Sequence, residues 1–216
     1  MARKPDDYLE LPAHAMGDEP ALVHLHDANL PTYASIYRSR RAATPRSTML
    51  LALVLAAVLS GPFAILGALI GSGGALSVVI LVVVFAPLVE EMLKVAGILY
   101  LAEVRPWLVP SATALVVVAV CSGLVFAAIE NWLYLSVIID DPTAEIVRWR
   151  WTFGPLVHGT GSLLAGIGVA RMWRMLPTQD RRPDFKVAAG WIIAATIVHG
   201  GYNLFATWLE LFGGGV

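Results

Sequence analysis

Long apolar segments recur from residue 48 to the end of this chain, and inside the second of them sit Glu90, Glu91 and Lys94. An ionisable side chain at the centre of a membrane span costs about 2.5–3.5 kcal/mol on insertion scales. Any fold for this chain must therefore bury charge in apolar surroundings and compensate it there. The stretch reads Phe85-Ala-Pro-Leu-Val-Glu90-Glu91-Met-Leu-Lys94, within an apolar run from Ala75 to Ala102. On a helix Lys94 lies four residues from Glu90 and three from Glu91, so it reaches either. Adjacent helical residues diverge by about 100°, so one carboxylate pairs with Lys94 while the other points into a bundle. The plain alternative is a charge clamp that only locks helices together.

Five apolar segments are present, at residues 48–70, 75–103, 111–139, 151–176 and 186–212. The charged fraction is 14%, against roughly 25% in soluble domains. The expected fold is an all-α, polytopic transmembrane bundle of about five spans. The second segment exceeds the ~20 residues a span needs, so it tilts, kinks or breaks at Pro87; a break would make six. Gly61-Pro62 reads as a kink in the first segment and Gly71-Ser72-Gly73-Gly74 as a tight turn after it. Residues 1–47 are polar and carry Pro5, Pro12, Pro20, Pro31 and Pro45, which reads as a largely irregular cytoplasmic tail with room for short helical pieces. Residues 48–216 form the membrane domain. The first apolar run starts too far in for an ordinary cleaved signal peptide, so it is expected to be an uncleaved anchor.

Trp107, Trp132, Trp149, Trp151, Trp173 and Trp208 fall mostly near segment ends, where an interfacial belt would place them. Basic residues set the orientation. Arg38, Arg40, Arg41, Arg46, Arg105, Arg171, Arg174, Arg181, Arg182 and Lys186 share one side of a five-span arrangement, against Arg148 and Arg150 on the other. The positive-inside rule then puts the N-terminus in the cytoplasm of a cell whose plasma membrane holds the chain, a bacterial one by expectation. Net charge is −1 and gives no basis for a nucleic-acid partner. The single cysteine, Cys121, excludes an intrachain disulfide and a multi-cysteine metal site. His24, His26 and Asp27 resemble a metal site only weakly, because histidines two apart diverge on a helix.

Further polar residues interrupt the later segments: Glu130 and Asn131 in the third, His158 in the fourth, His199 and Asn203 in the fifth. At ~1.5 Å of rise per residue, Glu130, His158 and Asn203 lie about 11–14 Å from one end of their spans, and His199 about a turn deeper. Glu90 lies about 22 Å in, less if its span tilts. Four helices thus bring carboxylates, imidazoles and an amide to overlapping depths. Gly154, Gly159, Gly161, Gly166, Gly168, Gly200 and Gly201 flank them and permit close helix approach.

These groups suit water activation. A carboxylate takes a proton from water, and His and Asn donate to the oxyanion that forms on a carbonyl. Two histidines with one or two glutamates are also a zinc set with an open position; its members would be Glu90, Glu130, His158 and His199. No His-Glu-x-x-His helix is present, so such ligands would come from separate helices. Ser162, one turn from His158, gives a weak Ser/His alternative.

Glu90-Glu91-x-x-Lys94, Phe126-x-x-x-Glu130-Asn131, His158 and His199-x-x-x-Asn203, in this order over residues 75–205, resemble the PrsW family of intramembrane proteases. That family is grouped with the CAAX prenyl endopeptidases and the Abi immunity proteins. The resemblance implies an endopeptidase acting on membrane-anchored proteins, such as an anti-sigma factor, within the lipid bilayer. It implies Glu90 as base, Glu130 as second holder of the water, and His199 and Asn203 as oxyanion donors; Glu91 and His158 complete the candidate catalytic set, with Lys94 as the pairing cation. The CAAX pattern has a histidine where Glu130 stands. Both a zinc-dependent and a metal-free site remain open. A non-catalytic immunity or scaffold protein and a proton-coupled transporter are the rival readings.

Overall fold

A computed structural model describes residues 32–68, 79–179 and 181–212. The His24–His26–Asp27 cluster, the Gly71–Gly74 turn and the start of the second apolar segment lie outside the described residues. The described elements are helical throughout. Helix α1 is Tyr33–Ala43 and α2 is Arg46–Ala68. Helix α3 is Ala86–Val104, entered through a π-helical turn at Leu81–Phe85. Helix α4 is Ala112–Leu133, leaving through a second π-helical turn at Tyr134–Ile138. Helices α5, Ala144–Gln179, and α6, Phe185–Phe212, complete the bundle.

Among the described residues, Ala112–Ile138, Ala144–Gln179 and Phe185–Leu209 are long and apolar enough to cross a membrane. The pair Tyr33–Ala43 and Arg46–Pro62, bent by 105°, makes a fourth candidate if counted as one span. The Glu90-Glu91-Lys94 charges keep α3 from qualifying on composition, so three to four candidate spans stand where five or six were expected.

Small residues bring the helices together. Gly97 on α3 meets the backbone of Ala56 on α2, and its N–H donates to Ser60 Oγ at 3.0 Å. A Cβ on Gly123 of α4 would lie 2.7 Å from the His158 carbonyl of α5, and one on Gly168 of α5 would lie 2.6 Å from Trp191 Cβ of α6. The apolar core runs through Leu53, Val95, Ile98, Leu115, Val169, Met172 and Ile192.

Pro87 does not break its helix. Proline lacks the N–H that would bond the Val83 carbonyl, and its ring crowds that carbonyl. The chain widens into the π-helical turn, where Ala86 N–H bonds the Leu81 carbonyl. The displaced carbonyls turn to α6. Val82 O accepts from Asn203 Nδ2 at 2.9 Å, and Val83 O abuts Gly200, where a Cβ would come within 2.1 Å.

Within the polar N-terminal stretch, α1 is one of the short helical pieces that its sequence allowed, and it is docked on the bundle. Thr32 caps α1 by accepting from Ser35 N–H at 3.1 Å. Tyr37 and Ala34 bury against Leu176. Arg41 donates to the carbonyls of Trp107, Val109 and Pro110, and Tyr33 OH donates to Glu103 O at 3.3 Å. Trp173 Nε1 donates to Pro106 O at 3.1 Å. One end of the bundle is therefore knitted from α1, the residue 105–111 connection and the C-terminal part of α5.

Candidate active site

The charged residues of α3 meet α4, α5 and α6 in the middle of the bundle. Glu90, Glu91 and Lys94 are all at most 2% exposed. Lys94 Nζ donates to Glu91 Oε1 at 2.8 Å and to His158 Nδ1 at 2.8 Å. It also lies 3.8 Å from Glu90 Oε2 and 4.2 Å from the Phe126 ring centroid. The ammonium thus faces both carboxylates rather than one. Its second contact sets a proton: an ammonium only donates, so His158 Nδ1 accepts and His158 Nε2 carries the hydrogen. That hydrogen is donated to Glu130 Oε2 at 3.0 Å.

His199 is set the other way. Its Nδ1 lies 2.9 Å from Glu91 Oε1, a carboxylate oxygen that accepts, so the Nε2 lone pair faces Glu90 Oε2 at 3.6 Å. The two imidazoles stand perpendicular with centroids 4.7 Å apart. Gly161 makes this possible, since a Cβ there would lie 2.8 Å from Glu91 Oε2.

A cavity of about 220 Å³ opens over this group. Glu90, Glu130, His158 and Asn203 line it. Glu91, Lys94 and His199 are not on its lining and stand behind it. Ser162 is buried, with its Oγ unbonded among the described residues, and makes no contact with His158 that would support a Ser/His pair. Asn203 uses one amide hydrogen on Val82 and keeps the other.

Four cleft residues, Arg150, Trp149, Tyr202 and Asn131, carried no site role in the sequence reading. Arg150, read only as a topology charge, places Nη2 3.5 Å from Glu130 Oε2 and its guanidinium 3.8 Å over the Tyr134 ring. Trp149 Nε1 donates to Tyr202 OH at 3.0 Å. Asn131 Nδ2 donates to the Arg150 carbonyl at 3.0 Å, and Gly154 leaves the room for it. A signal existed: Arg150, Gly154 and His158 recur every four residues and share one face of α5.

Glu90, His158 and His199 could hold a metal ion, provided that His158 gives up its hydrogen bond to Lys94 or to Glu130 for it. One ligand atom each from Glu90, His158 and His199 lies within 4.8 Å of the others. Among the described residues Glu90 Oε2 is buried without a hydrogen-bond partner, Lys94 Nζ standing 3.8 Å and His199 Nε2 3.6 Å away, so it keeps a lone pair that a cation could use. One carboxylate and two imidazoles are a zinc-type donor set.

Buried carboxylates and imidazoles beneath a cleft, among helices long and apolar enough to cross a membrane, are a donor set suited to hydrolysis within a membrane. The model of the PrsW family intramembrane metalloproteases matches residues 42–215, and the chain belongs to that family. No curated protein and no solved structure matches it. Membership decides between protease, scaffold and transporter in favour of the protease. The matched region starts inside α1, so most of the polar N-terminal stretch lies outside it.

Proposed function

We propose that this chain hydrolyses a peptide bond of a membrane-anchored protein, an anti-sigma factor being the class the family resemblance suggests. The observation that carries the reading is the buried Glu90–His158–His199 group beneath a cleft that holds a further carboxylate, Glu130. Glu90, His158 and His199 would hold a divalent cation, zinc by their donor types. Such a cation supplies Lewis-acid polarisation of the scissile carbonyl and a more acidic water. Glu130 takes the proton of the attacking water and passes it to the leaving amine nitrogen. Glu91 orients His199 through Nδ1–H, as a carboxylate behind a ligating histidine does. Lys94 compensates the buried carboxylates. Asn203 and Tyr202 face the cleft as hydrogen-bond donors to the carbonyl oxygen, and Arg150 steadies Glu130 and the entering peptide.

A second reading keeps Glu90 as the base of a metal-free site, with Asn203 on the oxyanion and His199 joining it only as an imidazolium, because the neutral ring spends its one N–H on Glu91. The observation in its favour is that both ring nitrogens of His158 are engaged, by Lys94 and by Glu130. The two readings part at Glu130→Gln. In the first, this variant retains bound metal and loses at least ~10²-fold in cleavage of a single-span reporter protein. Wild-type cleavage by Glu130→Gln would remove Glu130 from the base position.

The cleft opens where α4 ends, α5 begins and α6 ends, lined there by Tyr134, Trp149, Ala206 and Thr207. That is the end away from α1. In the five-span arrangement with a cytoplasmic N-terminus, substrate enters from the non-cytoplasmic side of a bacterial plasma membrane. Reporter fusions at Met1 and Val216 test this; both ends on one side would rule it out.

A further inference from the structure

The end of the bundle opposite the cleft holds a second cavity. It lies in the 105° angle between α1 and α2, measures about 490 Å³, and is lined by Arg41, Thr44, Arg46, Met49, Leu50 and Pro110. A short basic helix turned across the axis of the following span lies along a membrane surface rather than through it. The Arg41 guanidinium is held in place by the carbonyls of Trp107, Val109 and Pro110. Carbonyls orient a guanidinium without neutralising it, and among the described residues no carboxylate pairs with Arg41 or Arg46. The cavity therefore presents a fixed cation and a second, exposed one.

Apart from Thr44, its remaining wall is apolar. Leu50 is 60% exposed, and Val54, one turn further along the same face of α2, is 57% exposed. The charge sits at the helix end and the apolar strip runs from it along the span, which is the order of a phosphate headgroup followed by an acyl chain. A free phosphate would use only half of this surface. The pattern recurs at the same end of the bundle, where a groove of about 280 Å³ combines Arg171 and Arg174 with Thr113, Val116 and Ile167. Basic pockets of this kind between transmembrane helices recognise anionic lipid headgroups.

We infer that the α1–α2 elbow binds an anionic phospholipid, its phosphate between Arg41 and Arg46 and its acyl chain along Leu50 and Val54. The site is distinct from the catalytic cleft and does not depend on the proteolytic reading. It would fix α1 at the headgroup level of one leaflet.

The full chain, purified in detergent, is mixed with equal amounts of phosphatidylglycerol and phosphatidylcholine bearing identical acyl chains, and retained lipid is counted by native mass spectrometry. Wild type is expected to retain phosphatidylglycerol preferentially. Arg46→Gln, a change at an exposed position that leaves the Arg41 clamp intact, should reduce that preference about fivefold, the weight of one basic residue at an anionic surface. Leu50→Asn should weaken retention of both lipids. Equal retention by wild type, or an unchanged preference in Arg46→Gln, would overturn the inference. Displacement of the bound lipid by glycerol phosphate as effectively as by phosphatidylglycerol would make it a free-anion site and overturn it equally.

Discussion

Glu91 concentrates the structural logic at the scale of single residues. One oxygen, Oε1, accepts from both Lys94 and His199, and the other is enclosed by the glycine at 161. Removing one partner of a buried ion pair leaves the other charge uncompensated, at about 3–5 kcal/mol. Glu91→Gln and Lys94→Met should each lower thermal stability by this order, and the double variant should be more stable than either single one. Simple additivity in that cycle would show that the pair is not coupled. Gly161→Ala should act differently. Its Cβ would displace the Glu91 carboxylate, so cleavage should fall while helicity by circular dichroism stays near wild type; full cleavage would show that Glu91 has room to move. The charges themselves were legible in the sequence, because ionisable residues such as Glu90, Glu91, Lys94 and Glu130 are rare in apolar segments of this length. Their pairing was not. Lys94 reaches across to His158 on another helix, and no spacing along α3 encodes a contact between residues 64 apart.

At the scale of elements, the π-helical turn before Pro87 connects the backbone of α3 to α6. Asn203 satisfies the Val82 carbonyl and Gly200 admits the Val83 carbonyl. Asn203→Ala leaves that carbonyl unpaired and should destabilise by about 1–3 kcal/mol, read as a lowered Tm in detergent. Gly200→Ala sets a Cβ against backbone that cannot rotate away. It should separate α3 from α6 and lower Tm more than Asn203→Ala does; the reverse order of Tm would show that the hydrogen bond, not the close approach, joins them. The proline signalled an irregularity here, but whether it broke the span or only widened a turn depended on α6. The docking of the N-terminal helix was illegible for a related reason. The helix buries little more than Ala34 and Tyr37, too few for an apolar period, and its main anchor is Arg41 on carbonyls more than sixty residues away. Arg41→Gln should lower Tm in the full chain; an unchanged Tm would mean that α1 contributes nothing to the fold.

For the whole molecule, the two ends of the bundle have separate tasks. One end binds α1 to the 105–111 connection and gathers most of the basic residues; the other opens the cleft at Tyr134, Trp149 and Tyr202. The class of fold followed from hydropathy, and the site helices followed from misplaced polar residues. The convergence of their faces did not follow, because it rests on glycine contacts that bring α4, α5 and α6 to within backbone distance. The central claim is that Glu90, His158 and His199 form one cation-holding group, with Glu130 outside it. Metal content per chain, measured on detergent-purified protein, tests that most directly. The account predicts about one divalent ion per chain in wild type and in Glu130→Gln, and loss of that ion in Glu90→Gln and His199→Ala. Metal-free wild-type protein whose cleavage survives chelator would contradict it.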